Sequence, residues 1–226
     1  RMINHFVIGT LGRIKDLAHR RCIVYSQFTN VVLDEVDHML DMGFVDDITE
    51  ILEGLGKPRQ SLFFSATMPP RIRTLVAKFL TDPTTIDIAV PGSTKTVEQD
   101  IVRAPRDQKF DVLCKLLKSE GATRTIIFVE TKRAVEELAN ALTGAGYKTG
   151  YLHGDKRQRE RARTLDQFKT GLTDILVATD VAARGIDVKD VSHVINFTIP
   201  QTHDDYVHRI GRAGRAGRTG KAFTFV

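Results

Sequence analysis

Tryptophan is missing from this 226-residue chain, and only four tyrosines and two cysteines occur. With so few aromatic side chains of that kind, the composition argues against a platform that stacks on sugars. Cys22 and Cys114 stand far apart, giving neither a disulfide framework nor the paired spacing of a zinc site. The histidines add no ligand spacing, since His38, His153 and His208 are remote from one another in sequence. No apolar run approaches the about 18 residues that a spanning helix needs. The first residues lack a basic lead into an apolar block, so no secretory leader is read there. A reducing, cytoplasmic setting is the expectation these absences leave.

What remains is ordinary globular material, 42% hydrophobic and 27% charged, long enough for one large domain or two smaller ones. The net charge of +5 is uneven. Residues 1–100 carry 11 basic and 13 acidic side chains, and residues 101–226 carry 22 and 15. A basic second half fits either a polyanion partner or a plain solvated surface.

Short apolar strings recur along the chain. "HFVIGT" (5–10), "VVLD" (31–34), "SLFFSAT" (61–67) and "TTIDIAV" (84–90) read as strands. "PGSTKTVEQD" (91–100) breaks the pattern and reads as a linker. A second series follows with "TIIFVE" (125–130), "KTGYLHG" (148–154), "DILVATD" (174–180), "HVINF" (193–197) and "AFTFV" (222–226). Between the first of these, Val135, Leu138 and Leu142 mark one face of a helix over 131–142, which Gly144 and Gly146 then stop. Strands alternating with helices predict an α/β fold with parallel sheets, built twice: residues 1–90, a linker at 91–100, and residues 101–226. In such sheets chemistry gathers at the carboxyl ends of the strands, where Asp34, Ser65, Thr67, Thr131, His153 and Asp180 fall. The chain enters and leaves inside apolar strings, and its first half is short for a complete α/β domain, so that half is expected to be truncated at its N-terminus.

Three carboxylates crowd the end of one string in "VVLDEVD". Side by side they repel one another, so a cation belongs near them: Asp34 and Glu35 suit a hydrated Mg²⁺ and an oriented water. A solvated acidic turn is the alternative. "SAT" (65–67) fits a turn as readily as a site. "HRIGRAGRAGRTG" (208–220) interleaves Arg209, Arg212, Arg215 and Arg218 with glycines, a pattern suited to phosphate oxygens or to a nucleic-acid surface. "VATDVAARGID" (177–187) leaves a strand with a hydroxyl and an acid, and "LHGDKRQRERAR" (152–163) turns into a basic helix.

Taken in order, "GTLGR", "DEVD", "SAT", "IIFVETK", "HGD…QRER", "VATDVAARGID" and "HRIGRAGR" resemble the DEAD-box ATP-dependent RNA helicases of superfamily 2. The resemblance covers essentially the whole chain. It implies two RecA-like domains, the first truncated, using ATP and Mg²⁺ and binding RNA along its backbone without sequence preference. Asp34 and Glu35 would hold Mg²⁺ through water, Glu35 acting as catalytic base. Arg212 and Arg215 would be arginine fingers at the γ-phosphate, Arg184 would support the ATP contacts and Asp187 would bind the ribose. Asp37, Ser65, Thr67 and His208 would couple ATP status to domain closure. Thr10, Gly12, Arg13, Thr131, Gly154, Asp155, Arg161 and Thr179 would line the RNA path. In the intact protein, closure on ATP and RNA would bend one strand and open a short duplex.

The departures from the family pattern matter. Val36 replaces the usual Ala, Ala213 stands where Thr is common, and Leu11 replaces the Pro of "GTPGR", which is expected to loosen a turn that touches RNA. The larger departure is a missing loop. The phosphate-binding pattern G-x-x-x-x-G-K-[ST] does not occur: Gly56-Lys57 is followed by Pro58 and Gly220-Lys221 by Ala222. The chain alone is therefore expected to turn over little or no ATP and to expose apolar edges in its first half. A non-catalytic module that binds RNA or a protein partner is the competing expectation.

Overall fold

"NVVL" and "QSLF" are each too short to hold a sheet alone, and they pair with one another. The computed structural model describes residues 5–88, 97–118, 122–183, 188, 191–214 and 219–226. In it β1 (Asn30–Leu33) runs parallel to β2 (Gln60–Phe63), with Val32 opposite Leu62 and Leu33 opposite Phe63. The same unit, residues 1–87 of the two compact units in the chain, contains α1 (Leu11–His19), α2 (Val36–Asp41), α3 (Val45–Gly54) and α4 (Pro70–Phe79). Pro70 opens α4, where a missing N–H costs nothing. Ile48, Ile51 and Leu52 form the buried stripe of α3 and join Leu33, Val36, Leu40, Ile72 and Leu75 in one core. Val32, Leu62 and Phe64 are left exposed.

Two expected strands do not form. Residues 5–10 have no sheet partner among the described residues, and Phe6 and Ile8 are 86% and 97% exposed. Residues 84–88 of "TTIDIAV" likewise carry no strand, while 89 and 90 lie outside the described residues. Branched apolar side chains favour extended backbone, but a strand persists only where a neighbour takes its hydrogen bonds and a layer covers its face.

The second unit, residues 88–226, is a six-stranded parallel sheet. Its elements are β3 (Val97–Val102), α5 (Lys109–Leu117), β4 (Thr125–Phe128), α6 (Lys132–Gly144), β5 (Thr149–Leu152), α7 (Gln158–Thr170), β6 (Ile175–Ala178), α8 (Asp180–Ala183), β7 (His193–Asn196), α9 (His203–Ile210) and β8 (Gly220–Phe225). The strand order is β3-β8-β7-β4-β6-β5. Both faces are covered, which is why "TIIF" and "ILVA" are apolar at nearly every position. Ile126, Phe128, Leu176, Ala178 and Val194 pack on one side, and Ile127, Val129, Ile175, Val177 and Ile195 on the other. The expected helix forms as α6 with Val135, Leu138 and Leu142 buried, and Gly146 takes φ 90° just beyond it. The linker expected over 91–100 ends sooner. Val97 is buried against Gly220, and Glu98, Gln99 and Asp100 already belong to β3, an edge strand where polar residues are tolerated. Residues 91–96 lie outside the described residues. Among the described residues no helix is long and apolar enough to cross a membrane.

One buried titratable group belongs to the sheet itself. Ser192 Oγ accepts from the Arg124 N–H at 3.1 Å and lies 3.0 Å from the Arg124 carbonyl and 2.9 Å from His193 Nδ1. Nε2 of the same ring is buried with no hydrogen-bond partner among the described residues. Burial, and then the charge of Lys221, push the His193 pKa below its usual 6.5. Below pH 6.5 the unfolded chain takes up this proton more readily than the native one, so native stability is lost as pH falls from that point. Urea unfolding at stepped pH is expected to show this loss, and His193→Gln is expected to flatten it.

Candidate functional site

The acidic turn is built by the end of β1. Leu33 O accepts from Phe64 N at 2.8 Å, and Phe64 O accepts from Val36 N at 3.0 Å, so the strand ends are tied across the turn. Between these ties Glu35 takes the left-handed conformation, φ 52° and ψ 48°. A residue with a Cβ held there costs on the order of 1 kcal/mol, and such strain concentrates at functional sites. Asp34 Oδ1 accepts from Glu35 N at 2.9 Å, and both side chains are exposed.

Asp37, one residue into α2, faces inward and is 4% exposed. Its Oδ2 accepts from Ala66 N (3.1 Å), Thr67 N (2.9 Å) and Thr67 Oγ1 (3.0 Å), and its Oδ1 from His38 N (3.0 Å). Ser65 joins differently: its Oγ accepts from the Asp37 backbone N–H at 3.3 Å and donates to Thr67 O at 2.7 Å. Burial alone would raise the Asp37 carboxyl pKa. The N–H groups of Thr67 and His38 and the Thr67 hydroxyl outweigh it and hold the group below the usual carboxylate range. "DEVD" and "SAT", thirty residues apart, therefore form one hydrogen-bonded unit.

Thr10 and Arg13 are exposed at the start of α1, and Arg13 pairs with Asp16 at 2.7 Å. A Cβ on Gly12 would meet nothing within 4 Å, so packing does not demand glycine there. Leu11, which stands where the family pattern has proline, is the first residue of α1 and is buried in the core of its unit.

In the second unit the carboxyl ends of three adjacent strands, β4, β6 and β5, carry most of the remaining candidates. Thr131 caps α6 with Oγ1 accepting from Ala134 N at 3.1 Å. After β5, Asp155 meets Lys132 Nζ at 2.5 Å, and this pairing, against a little desolvation, lowers the Asp155 pKa. Gly154 lies under the Lys132 stem, 3.7 Å from where its Cβ would stand. His153 is buried, stacked on Tyr151 at 5.7 Å, with Nε2 2.9 Å from Glu136 Oε1. After β6, the Thr179 carbonyl accepts from Ala182 and Ala183, and Arg161 reaches from α7 to the Ala182 carbonyl at 3.2 Å. Thr131, Gly154, Asp155 and Thr179 thus follow the carboxyl ends of three adjacent strands of one sheet, with Arg161 reaching in from α7.

Arg209 is the residue that the sequence pattern does not single out. It is 3% exposed and sits where the order of connections reverses between β4 and β7. Nε and Nη2 donate to Asp180 Oδ1 (2.6 Å) and Oδ2 (2.7 Å), and Nη1 donates to Thr198 O (2.8 Å) and Asn196 Oδ1 (3.2 Å). Its guanidinium lies over the Phe128 ring, 5.1 Å from the centroid. Asn196 Nδ2 passes the network on to Thr224 Oγ1 at 3.0 Å. Arg212, Arg209 and His208 line a shallow cleft with Phe128, Asp180, Ala183 and Asp205. Arg184, Asp187 and Arg215, also expected at the nucleotide, lie outside the described residues.

The glycines of this segment have a packing reason. A Cβ on Gly220 would come within 2.6 Å of both Ala213 Cβ and Gly214 N, so the chain carrying Arg212 lies directly against the start of β8. Gly214 itself takes φ 69°. Close approach to the chain at 213–214 accounts for Gly220, and the left-handed conformation for Gly214.

Among the described residues no three His, Cys, Asp or Glu side chains converge as a metal cluster. Asp34 and Glu35 offer hard oxygen donors of the kind that hold Mg²⁺ with its waters retained.

Comparison with known proteins agrees with this arrangement. The DEAD/DEAH box helicase family matches residues 2–75 and the helicase conserved C-terminal domain matches residues 108–217. The ATP-dependent RNA helicase CshA of Listeria monocytogenes is 48% identical over 221 residues, 97% of this chain and 42% of that protein. The DEAD-box ATP-dependent RNA helicase CshA of Geobacillus kaustophilus is 46% identical over 223 residues, 98% of this chain and 48% of that protein. The chain thus spans less than half the length of these curated relatives. Among solved structures, S. cerevisiae Dbp5 bound to RNA and ADP BeF3 matches with a TM-score of 0.83 and 34% identity, over 97% of this chain and 58% of that one. The E. coli DEAD-box protein SrmB, bound to regulator of ribonuclease activity A, matches with a TM-score of 0.56 and 47% identity, over 57% of this chain and 77% of that one. With both halves matched in order and the acidic turn folded onto its partner loop, this chain belongs to the DEAD-box helicases.

Proposed function

We propose that the whole protein to which these residues belong is an RNA-stimulated ATPase that couples hydrolysis to local opening of RNA duplexes. The observation that carries this reading is the acidic turn: exposed Asp34 and Glu35 on strained backbone, locked by Asp37 to the 65–67 loop. Asp34 and Glu35 would hold Mg²⁺ through water, where it would draw charge from the phosphates. Glu35 would take the proton of the attacking water. Asp37, Ser65, Thr67 and His208 would relay nucleotide status, and Arg212, with Arg184, Asp187 and Arg215, would contact the nucleotide. The RNA backbone would run past Thr10, Gly12 and Arg13 in the first unit. In the second it would run along the strand ends that carry Thr131, Gly154, Asp155, Arg161 and Thr179. A cytoplasmic setting belongs to the same reading.

The 226 residues themselves contain no G-x-x-x-x-G-K-[ST] loop. That favours, for this chain taken alone, a second and narrower reading: RNA-backbone binding without turnover. Binding of two unrelated single-stranded RNA oligonucleotides, followed by fluorescence anisotropy between about 50 and about 200 mM salt, tests both. Equal affinities are expected, with log K falling against log salt at a slope of about −2, as for a few phosphate contacts. Affinity that depends on sequence and ignores salt would remove the backbone reading.

A further inference from the structure

We propose that the Asp180–Arg209 pair is a positioning device for Arg212. This rests on the reading of Arg212 as a phosphate ligand and adds to it two residues that form part of the wall of the same cleft.

Arg209 lies in the last turn of α9, and four of its side-chain N–H donors are engaged by Asp180, Asn196 and Thr198. Those partners come from the ends of β6 and β7, and the Phe128 ring below comes from the end of β4. The end of α9 is thereby fastened to three neighbouring strands. Arg212 follows directly: its N–H donates to the Arg209 carbonyl at 3.1 Å, and Ala213 N donates to Ile210 O at 3.0 Å. From the other side the chain lies against Gly220, where not even a methyl group fits. The backbone that carries Arg212 is therefore held at both ends, by a guanidinium fork and by a glycine contact.

A planar fork gripping a carboxylate at two points fixes direction as well as distance, which an ammonium cannot do. Asp180 lines the same cleft as Arg212. Bound to Arg209 through both oxygens, its negative charge is answered from below, which lowers the repulsion an incoming phosphate would meet. The pair accordingly sets the place of Arg212 and the charge of the floor beneath it, without touching phosphate.

The test follows the side-chain Nε–H resonances of Arg209 and Arg212 in ¹⁵N-arginine-labelled chain during titration with inorganic tripolyphosphate. In the unsubstituted chain Arg212 is expected to shift and Arg209 to stay. In Asp180→Asn and in Arg209→Lys, each checked for an intact amide spectrum of β4 and β7, the Arg212 response is expected to weaken about ten-fold, as misplacement of a ligand by a fraction of an ångström does. Asp180→Glu, which keeps the carboxylate, is expected to restore part of it, and it reads the same point should the Asn variant fail to fold. Retention of full response in Arg209→Lys, which keeps the charge but loses the fork, would overturn the proposal. An Arg212 that never responds in the unsubstituted chain overturns the phosphate-ligand reading together with the pair that depends on it. Equal responses in all forms sink the positioning role alone.

Discussion

Arg209→Ala is expected to destabilise the second unit by about 3 kcal/mol, the low end of the cost of breaking a buried ion pair from one side, because the Asp180 side chain is 29% exposed. The truncation leaves the Asp180 carboxylate without its fork, strips Asn196 Oδ1 and the Thr198 carbonyl of their donors, and opens a gap over Phe128. Asn196 is fully buried, so its freed oxygen goes unanswered, whereas the Asp180 carboxylate, on the cleft wall, can turn in part to water. Arg133 supplies the contrast. It makes an ion pair of similar length with Glu137, 2.7 Å, on the exposed face of α6. There solvent and salt screen the interaction, and Arg133→Ala is expected to leave stability unchanged within error. Urea unfolding of the three proteins, followed by circular dichroism, separates the cases. Equal stabilities would mean that the Arg209 network contributes no more than a surface pair.

Asp37→Ala is expected to be the costly change in the first unit, at about 3 kcal/mol. The carboxylate accepts from three backbone N–H groups, Ala66, Thr67 and His38, and from the Thr67 hydroxyl. Removing it leaves those donors without the acceptor that a residue only 4% exposed had supplied. Asn in its place keeps one acceptor oxygen and loses the charge, so Asp37→Asn should fall between wild type and Ala. The pH dependence carries the same signature. A carboxyl with a depressed native pKa contributes stability above the ordinary value of 3.8 and loses it as pH falls through the native value. That acid-side loss should be smaller in Asp37→Asn, and unfolding monitored from neutral pH downward reads it. Asp34→Asn offers the internal comparison: its exposed carboxylate accepts one local bond, from the next residue's N–H, and its removal should change stability little.

How far these features could be read from sequence depends on what fixes each of them. The parallel sheet of the second unit was legible because burial on both faces forces unbroken apolar strings, as in "TIIF" and "ILVA". The α6 stripe was legible because Val135, Leu138 and Leu142 repeat with the helix period. "HFVIGT" and "TTIDIAV" misled for the complementary reason: strand character needs a partner, and composition does not say whether one is present. The start of β3 was hidden because an edge strand tolerates Glu98, Gln99 and Asp100, residues that resemble a linker.

The candidate site divides in the same way. Asp34, Glu35 and Asp37 announce themselves as three acids at a strand end, although their division of labour, two exposed and one buried in hydrogen bonds, appears only in three dimensions. Arg209 stood in plain view among four regularly spaced arginines and could not be told from them. Spacing places it one turn before Arg212 on α9, but only the register of β6 and β7 supplies Asp180, Asn196 and Thr198 beneath it. The hint that was available is local: Arg209 adjoins Ile210, buried at the helix end, and a strand-end Asp180 lacked an assigned role. Gly220 was equally opaque, since a contact of backbone with backbone leaves no trace in composition.

The acidic turn and the arginine segment are both present, and the phosphate-binding loop is not in these 226 residues. Hydrolysis of ATP by the chain as it stands, with and without single-stranded RNA and beside Arg212→Ala, meets that division head on. No turnover above the Arg212→Ala control is the expected result, with RNA binding retained. RNA-stimulated turnover that disappears in Arg212→Ala would contradict it, because the phosphates would then be held without the loop.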